Sequence, residues 1–199
     1  QDPNIEFYGE KIYLRKLRDS DCTNRYLSWL NDSTVNKYSS RYQKKFTMND
    51  LTSYVNQMNS NNSNHILVGI FDSTNRKKHI GNTLLGPIDY NNYRSEISNL
   101  IGEKKYWGKG VALESCMILI HYAFSKLELH KITIGNISKN RGATFLTKQL
   151  GFELEGKLIE EMNLGNNYFD VLRFGLFKNE FYKKFPNLIN ADYSKPPNN

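Results

Sequence analysis

Apolar and polar residues alternate through "KIYLRKL", Lys11 to Leu17, with the period of a half-buried strand. The period then lengthens. "DSDCTNRYLSWLND" reads as a helix with Asp19 or Ser20 at its N-cap, and "TMND", Thr47 to Asp50, has capping-box spacing before a second short helix, "LTSYVNQM". Past the Asn/Ser-rich surface loop "NSNNSN", Asn59 to Asn64, strand character returns. "HILVGIF" and "KKHIGNTLLG" form a hairpin about the turn "DSTNR", and "RSEISNLIG", Arg94 to Gly102, is a further strand.

"VALESCMILIHYAFSKL" is apolar around most of its circumference, which predicts a helix of about four to five turns buried against a sheet. "KITIGN" is the next strand. "NRGATFLTKQLGF" is a short helix with Ala143, Leu146 and Leu150 on one face, stopped by Gly151. "ELEGKLIEEM" and "NYFDVLRFGLF" follow as two strands around "NLGN". The order strand, two helices, three strands, helix, strand, helix, two strands predicts an α/β chain (an α+β mixed sheet) with helices on its faces. Residues 1–185 are expected to form a single domain, and 186–199 a frayed C-terminal tail.

Composition narrows the function classes. The 199 residues are 39% hydrophobic and 13% aromatic, enough for one sizeable core. No apolar run approaches the roughly 18 residues that suggest a membrane span. The opening "QDPNIEFYGE" has neither a basic nor an apolar signal-peptide region. Cys22 and Cys116 are too few for a disulfide framework, and no Cys/His spacing resembles a metal site, so a reducing cytoplasm is the expected compartment. The net charge of +7 comes from lysines spread along the chain, which favours solvated faces over a nucleic-acid surface. A small polyanionic ligand accounts equally well for local basicity.

Such a ligand has a candidate site in "KKYWGKGVALESC", Lys104 to Cys116. A helix starting at or near Gly110 leaves its first N–H groups without internal acceptors, and its dipole favours an anion. Gly108 and Gly110 permit close approach of the backbone, and Lys105 and Lys109 add positive charge. The stretch is neither a Walker A loop nor the dinucleotide fingerprint, which needs a third glycine. By itself it fits a turn and helix start as well as a phosphate cradle.

Its neighbours carry a resemblance. "KYWGKG" lies between a strand and a buried helix, followed by "KITIGN" and by Asn140 and Ala143 ahead of "LGF". From about Lys11 to Phe177 the sequence resembles the GNAT superfamily of acetyl-CoA-dependent N-acetyltransferases, whose pyrophosphate loop has the form [Q/R]-x-x-G-x-[G/A]. Lys105 stands at the Gln/Arg position, keeping the charge and losing planar donation. "SEI", "YWGKGVALE", "HYAF", "LHKI" and "LEGKL" look most like the branch with ribosomal-protein N-terminal and amino-sugar acetyltransferases.

The resemblance implies a splayed central sheet, acetyl-CoA as donor, and direct transfer to a small-molecule amine in a ternary complex; from the spread of charge and the lack of a long apolar run, no nucleic acid or membrane partner is expected. It implies that Lys105, Tyr106, Trp107, Gly108, Lys109, Gly110, Val111 and Ala112 hold the pyrophosphate, and that Asn140 and Ala143 border the pantetheine arm. Asn140 also suits a helix N-cap. Backbone groups at Ser98, Asn99 and Leu100 would hold the acetyl end, with a main-chain N–H as oxyanion donor. Glu96 is the first candidate for general base, since alternation puts it on the face of Ser98; its plainer reading is a charge-paired strand residue. Asp89 and Asp170 are alternatives, and no histidine has a partner pattern. The family's frequent leaving-group Tyr is replaced by Thr147, leaving the acid unassigned, with Tyr106 and Tyr168 as unsupported substitutes.

Acceptor specificity in this superfamily sits after the first strand and in the last hairpin. Trp29, Tyr38, Arg41, Tyr90 and Asp170 are the substrate-binding candidates; the aromatic and amide wall suits a sugar or nucleotide, with Arg41 open to a phosphate. Trp29 equally suits an amphipathic-helix core. A nucleotide-linked amino sugar is the leading acceptor, a protein N-terminus the runner-up. A catalytically idle acyl-CoA-binding module is the reading from another class. Edge strands in this fold often pair across a dimer, so a homodimer stays open.

Overall fold

In β2 (Ile12–Lys16), Ile12 and Leu14 turn to one face of the sheet and Tyr13 to the other. The same sorting continues in β3 (Ile66–Asp72), where Ile66, Val68 and Ile70 share the face of Ile12, while Leu67 and Phe71 share that of Tyr13. Both faces are therefore buried, as the near-unbroken apolar run of β3 requires. The computed structural model describes residues 5–196. The remaining strands are β1 (Glu6–Tyr8), β4 (His79–Leu85), β5 (Arg94–Ile101), β6 (Lys131–Ile137), β7 (Glu153–Leu164) and β8 (Asn167–Phe177). All eight lie in one mixed sheet ordered β1-β2-β3-β4-β5-β6-β8-β7.

The first face carries α3 (Val111–Ser125), whose Ile118, Leu119, Ala123 and Phe124 are fully buried. Beside it lie α4 (Arg141–Gln149) and α5 (Lys178–Lys184). The second face is covered over β2 to β4 by α1 (Asn24–Leu30) and α2 (Met48–Asn59), through Tyr26, Trp29, Leu51 and Val55. Among the described residues no helix joins the apolar cluster on that face over β6 and β8. Instead the loop after α1 leans across, packing Tyr38 and Tyr42 on Ile137, Leu164 and Val171.

The predicted order holds from β2 to β8, with additions and shifts. The short β1 and α5 escape the pattern; α5 is fixed by Phe181, fully buried against Phe124. Thr23, not Asp19 or Ser20, caps the first helix, accepting from Tyr26 N. Asp21 is instead drawn to Arg15 at 2.7 Å, and Asp19–Asp21 form a 3-10 turn. The Thr47–Asp50 capping box forms as expected. The segment expected to fray after residue 185 is docked over its described part: Tyr8 N donates to Tyr193 O at 2.8 Å, and the Tyr193 ring packs on His121. Among the described residues no helix is long and apolar enough to cross a membrane.

Candidate active site

β5 and β6 are parallel and pair only from Arg94–Lys131 to Glu96–Thr133. Beyond that point both strands continue without pairing each other, to Ile101 and Ile137. The sheet is splayed there. Gly86 N donates to Glu96 O, and Gly102 N to Ile80 O, so even-numbered residues of β5 bond to β4. By antiparallel alternation the odd-numbered residues face β6; the last parallel bridge, Glu96–Thr133, takes up the Ile97 N–H, and the N–H and C=O of Asn99 point into the gap beyond it. Ile101 O, in the same series, accepts from Trp107 Nε1 at 2.8 Å.

The gap opens on a cavity of about 1050 Å³. Ser98, Asn99, Leu100, Asn136, Asn140 and Ala143 line its inner part, and Tyr26, Tyr38, Arg41 and Tyr54 its outer wall. Between them lies an ion pair: Arg173 Nη2 donates to Glu96 Oε2 at 2.8 Å. Arg173 stands opposite Gly135 of β6, where an added Cβ would fall 2.6 Å from Arg173 Nη1. The glycine thus clears the path by which the guanidinium reaches Glu96. The pair also borders a second cavity of about 690 Å³, which holds Tyr90, Asn91 and Arg94.

The glycine stretch follows the end of β5, and none of its residues from Lys104 to Ala112 lines either cavity. Gly108 (φ 71°) and Gly110 (φ 80°) are both left-handed, and Gly110 caps α3 without a side chain. Among the described residues, the N–H groups of Gly108, Gly110, Val111 and Ala112 have no acceptor. A Cβ at Gly108 would meet nothing within 4 Å. These open amides at the start of a 15-residue helix fit the pyrophosphate of acetyl-CoA. Lys105 and Lys109 are exposed beside Tyr106, and the Trp107 hydrogen bond ties the loop to the end of β5. Asn140 caps α4, its Oδ1 accepting from Ala143 N at 3.1 Å, and its amide faces the cavity.

Two expectations are corrected, and a third residue falls in the neighbouring cavity. Trp29 is core: only 4% exposed, it lies over Gly102, with Nε1 donating to Glu103. Asp170 lies outside both cavities. β7 and β8 shift register between Leu158 and Met162, and Asp170 satisfies the Glu160 N–H there while pairing with Lys157, which holds its carboxyl below the usual range. Tyr90 lines the second cavity and not the first.

Thr147 is sealed at 0% exposure, accepting from Asn136 Nδ2. Tyr106 gives its hydroxyl to Asp72, and Tyr168 is at the exposed hairpin end; neither lines a cavity. The Asp89 carboxylate is taken by Asn91, Asn92 and Arg94; the Asn92 amide foremost holds its pKa low. No histidine lines either cavity. Sequence reasoning missed Arg173, Tyr54 and Asn36. A lone arginine in "VLRFGLF" was the available signal for the first; the others lay in unremarkable polar context.

Comparison with known proteins agrees with this architecture. The family described as acetyltransferase (GNAT) domain matches residues 11–153. The uncharacterized N-acetyltransferase p20 of Bacillus licheniformis is 30% identical over 178 residues, 87% of this chain and 97% of that protein. Spermidine N(1)-acetyltransferase of Escherichia coli strain K12 is 28% identical over 94 residues, 47% of this chain and about half (50%) of that enzyme. The crystal structure of spermidine N-acetyltransferase from Vibrio cholerae in complex with CoA and spermine superposes with a TM-score of 0.76 at 24% identity, over 87% of this chain and 99% of that one.

Proposed function

The chain belongs to the GNAT acetyltransferase family and is an acetyl-CoA-dependent N-acetyltransferase, and on that premise we propose that its acceptor is the primary amine of a nucleotide-linked sugar, with Glu96 as general base. One observation carries the catalytic part. Glu96 sits at the root of the splay, on the cavity face with Ser98, and the Asn99 N–H points into the same gap. Base and oxyanion donor are thus three residues apart on one rigid strand.

Acetyl-CoA, when bound, supplies an acyl group activated as a thioester. The Asn99 N–H is aimed to donate to an acyl oxygen in the gap, a type of contact worth about 3 kcal/mol in enzymes generally. Glu96 Oε2 is held by Arg173, which fixes the carboxylate's orientation; its Oε1 has no partner among the described residues. That oxygen takes the amine proton directly or through one water. Thr147 is buried and gives no proton to the cleft.

A cavity of about 1050 Å³ exceeds what a simple amine fills. Its outer wall offers the partly exposed rings of Tyr38 and Tyr54 as stacking faces suited to a sugar and base. A polyamine acceptor is the second reading, favoured by the spermidine acetyltransferases among the relatives and by Glu161 on the cavity wall. Acetyl-CoA-dependent thiol release over a panel of amino-sugar nucleotides, N-terminal peptides and polyamines tests both. Turnover with sugar nucleotides supports the first reading; turnover confined to spermidine or spermine sinks it. Tight acetyl-CoA binding with silence across the panel would point to an idle relative.

A further inference from the structure

Arg41 lies half-buried on the outer wall of the main cavity. Its Nε donates to Asn36 Oδ1 at 3.0 Å. Asn36 is itself immobilised: only 2% exposed, its Nδ2 donates to the carbonyls of Trp29 at 2.7 Å, Asp32 at 2.9 Å and Leu30 at 3.0 Å. The amide's one remaining function is to orient the guanidinium. A guanidinium carries five donors in a planar fork, and no hydrogen bond or ion pair among the described residues engages Arg41's terminal nitrogens.

A charge withdrawn from water without a counter-charge is unfavourable, and burial accordingly pulls the Arg41 pKa down. The groups facing it are the phenols of Tyr54 and Tyr26, which bring no negative charge at neutral pH. Other charges on the wall do not supply the deficit. Glu96 is neutralised by Arg173, which leaves Asp50, held in its capping box with Thr47, and Glu161 as the wall's other carboxylates. Lys44 and Lys45 line the same cavity and have no ion pair among the described residues. With the Arg173–Glu96 pair set aside, Arg41, Lys44 and Lys45 outnumber Asp50 and Glu161, so the balance of charge on the acceptor wall is cationic.

We propose that Arg41, held by Asn36, is the acceptor-selecting residue: its free fork pairs with a phosphoryl oxyanion of the amine substrate, and the same charge disfavours polyamines. This rests on reading the main cavity as the acceptor site, and it deepens that reading by naming the group recognised and the residue that does it. Bidentate pairing with phosphate is the geometry the fork provides, which a lysine at the same place would not reproduce.

The test separates the clamp from the activity. The protein is first saturated with CoA, which blocks the glycine-loop amides, then titrated with uridine diphosphate and with inorganic pyrophosphate. Binding by the wild type, weakened at least tenfold in Arg41→Gln and partly kept in Arg41→Lys, is expected, with CoA affinity unchanged in both variants. No binding of either probe by the wild type overturns the clamp. So does equal binding by Arg41→Gln. An unchanged melting temperature shows that the variant is folded. In turnover, Arg41→Gln raises the KM of a sugar-nucleotide amine about tenfold or more with a smaller change in kcat, and leaves or improves spermidine turnover. Loss of spermidine turnover on that substitution also overturns the proposal. Arg41-dependent diphosphate binding without turnover of any amine supports the clamp and refutes the acceptor reading, so the two fail separately.

Discussion

Replacing Glu96 by glutamine separates chemistry from folding. The amide keeps the shape of the carboxylate, and its Oε1 still accepts from Arg173, but it cannot take a proton. General-base catalysis contributes about 10²- to 10⁴-fold, so kcat is expected to fall at least about 100-fold, equivalent to about 2.7 kcal/mol of barrier. The structural cost is much smaller. The Arg173 and Glu96 side chains are 33% and 40% exposed, and a pair so screened is worth at most about 1 kcal/mol. For a domain of this size that is a shift of about 2–4 °C in Tm. Initial rates of thiol release at saturating acceptor, with melting curves on the same samples, read the two effects apart. Gly135→Ala is a second probe, since the new Cβ displaces the guanidinium without touching Glu96; kcat should fall less than in Glu96→Gln. A Glu96→Gln protein that keeps kcat within threefold of wild type refutes the assignment, and a collapse of Tm with kcat intact makes the pair structural.

Thr147→Val keeps the buried shape but orphans the Asn136 amide donor, which costs about 1–3 kcal/mol; Tm should drop by several degrees while kcat per folded molecule holds, and a specific loss of kcat would restore Thr147 as a proton donor. Gly108→Ala puts a methyl into open space from a left-handed backbone, costing about 1–2 kcal/mol; CoA affinity measured by calorimetry should fall about tenfold, and unchanged affinity would mean that the loop is not the cradle. His79 Nε2 lies against two acceptors, Gly81 O and Asn82 Oδ1, so it carries the hydrogen and the buried Nδ1 lacks a partner. Burial lowers its pKa, so the unfolded chain binds the proton first as pH falls below about 6.5, and stability declines from there. A Tm series from pH 8 to 5 should be flat and then fall, with a shallower fall in His79→Gln.

What could be read in advance was local. Period-two and helical spacing revealed the elements from β2 to β8, and the Thr47–Asp50 box and the Asn140 cap are short-range chemistry that the chain spells out. What could not be read was register. Arg173 reaches Glu96 across 77 residues because β8 sets it opposite Gly135. Nothing in "VLRFGLF" announces that partner. Trp29 fits an acceptor wall and a core equally by spacing; Gly102, beneath its ring, decides for the core. Asp170 was misplaced for the same reason, since the register shift it repairs lies on the neighbouring strand.

The two ends of the cleft are built differently, and that bears on how far kinship informs substrate. The donor end rests on β5, on the α3 N-terminus and on the Asn140 cap, all parts of the regular sheet-and-helix frame. The proposed acceptor end is made by the loop after α1 and by β7–β8, joined through Tyr38 and Tyr42 against Ile137, Leu164 and Val171. Within that loop one buried amide, Asn36, ties the helix end to Arg41. A loop outside the sheet can change its charge without disturbing the strands. Similarity of fold to a spermidine acetyltransferase therefore does not carry the amine across, and under the clamp proposed above the sign of the charge at Arg41 is the physical quantity on which the choice of acceptor would turn.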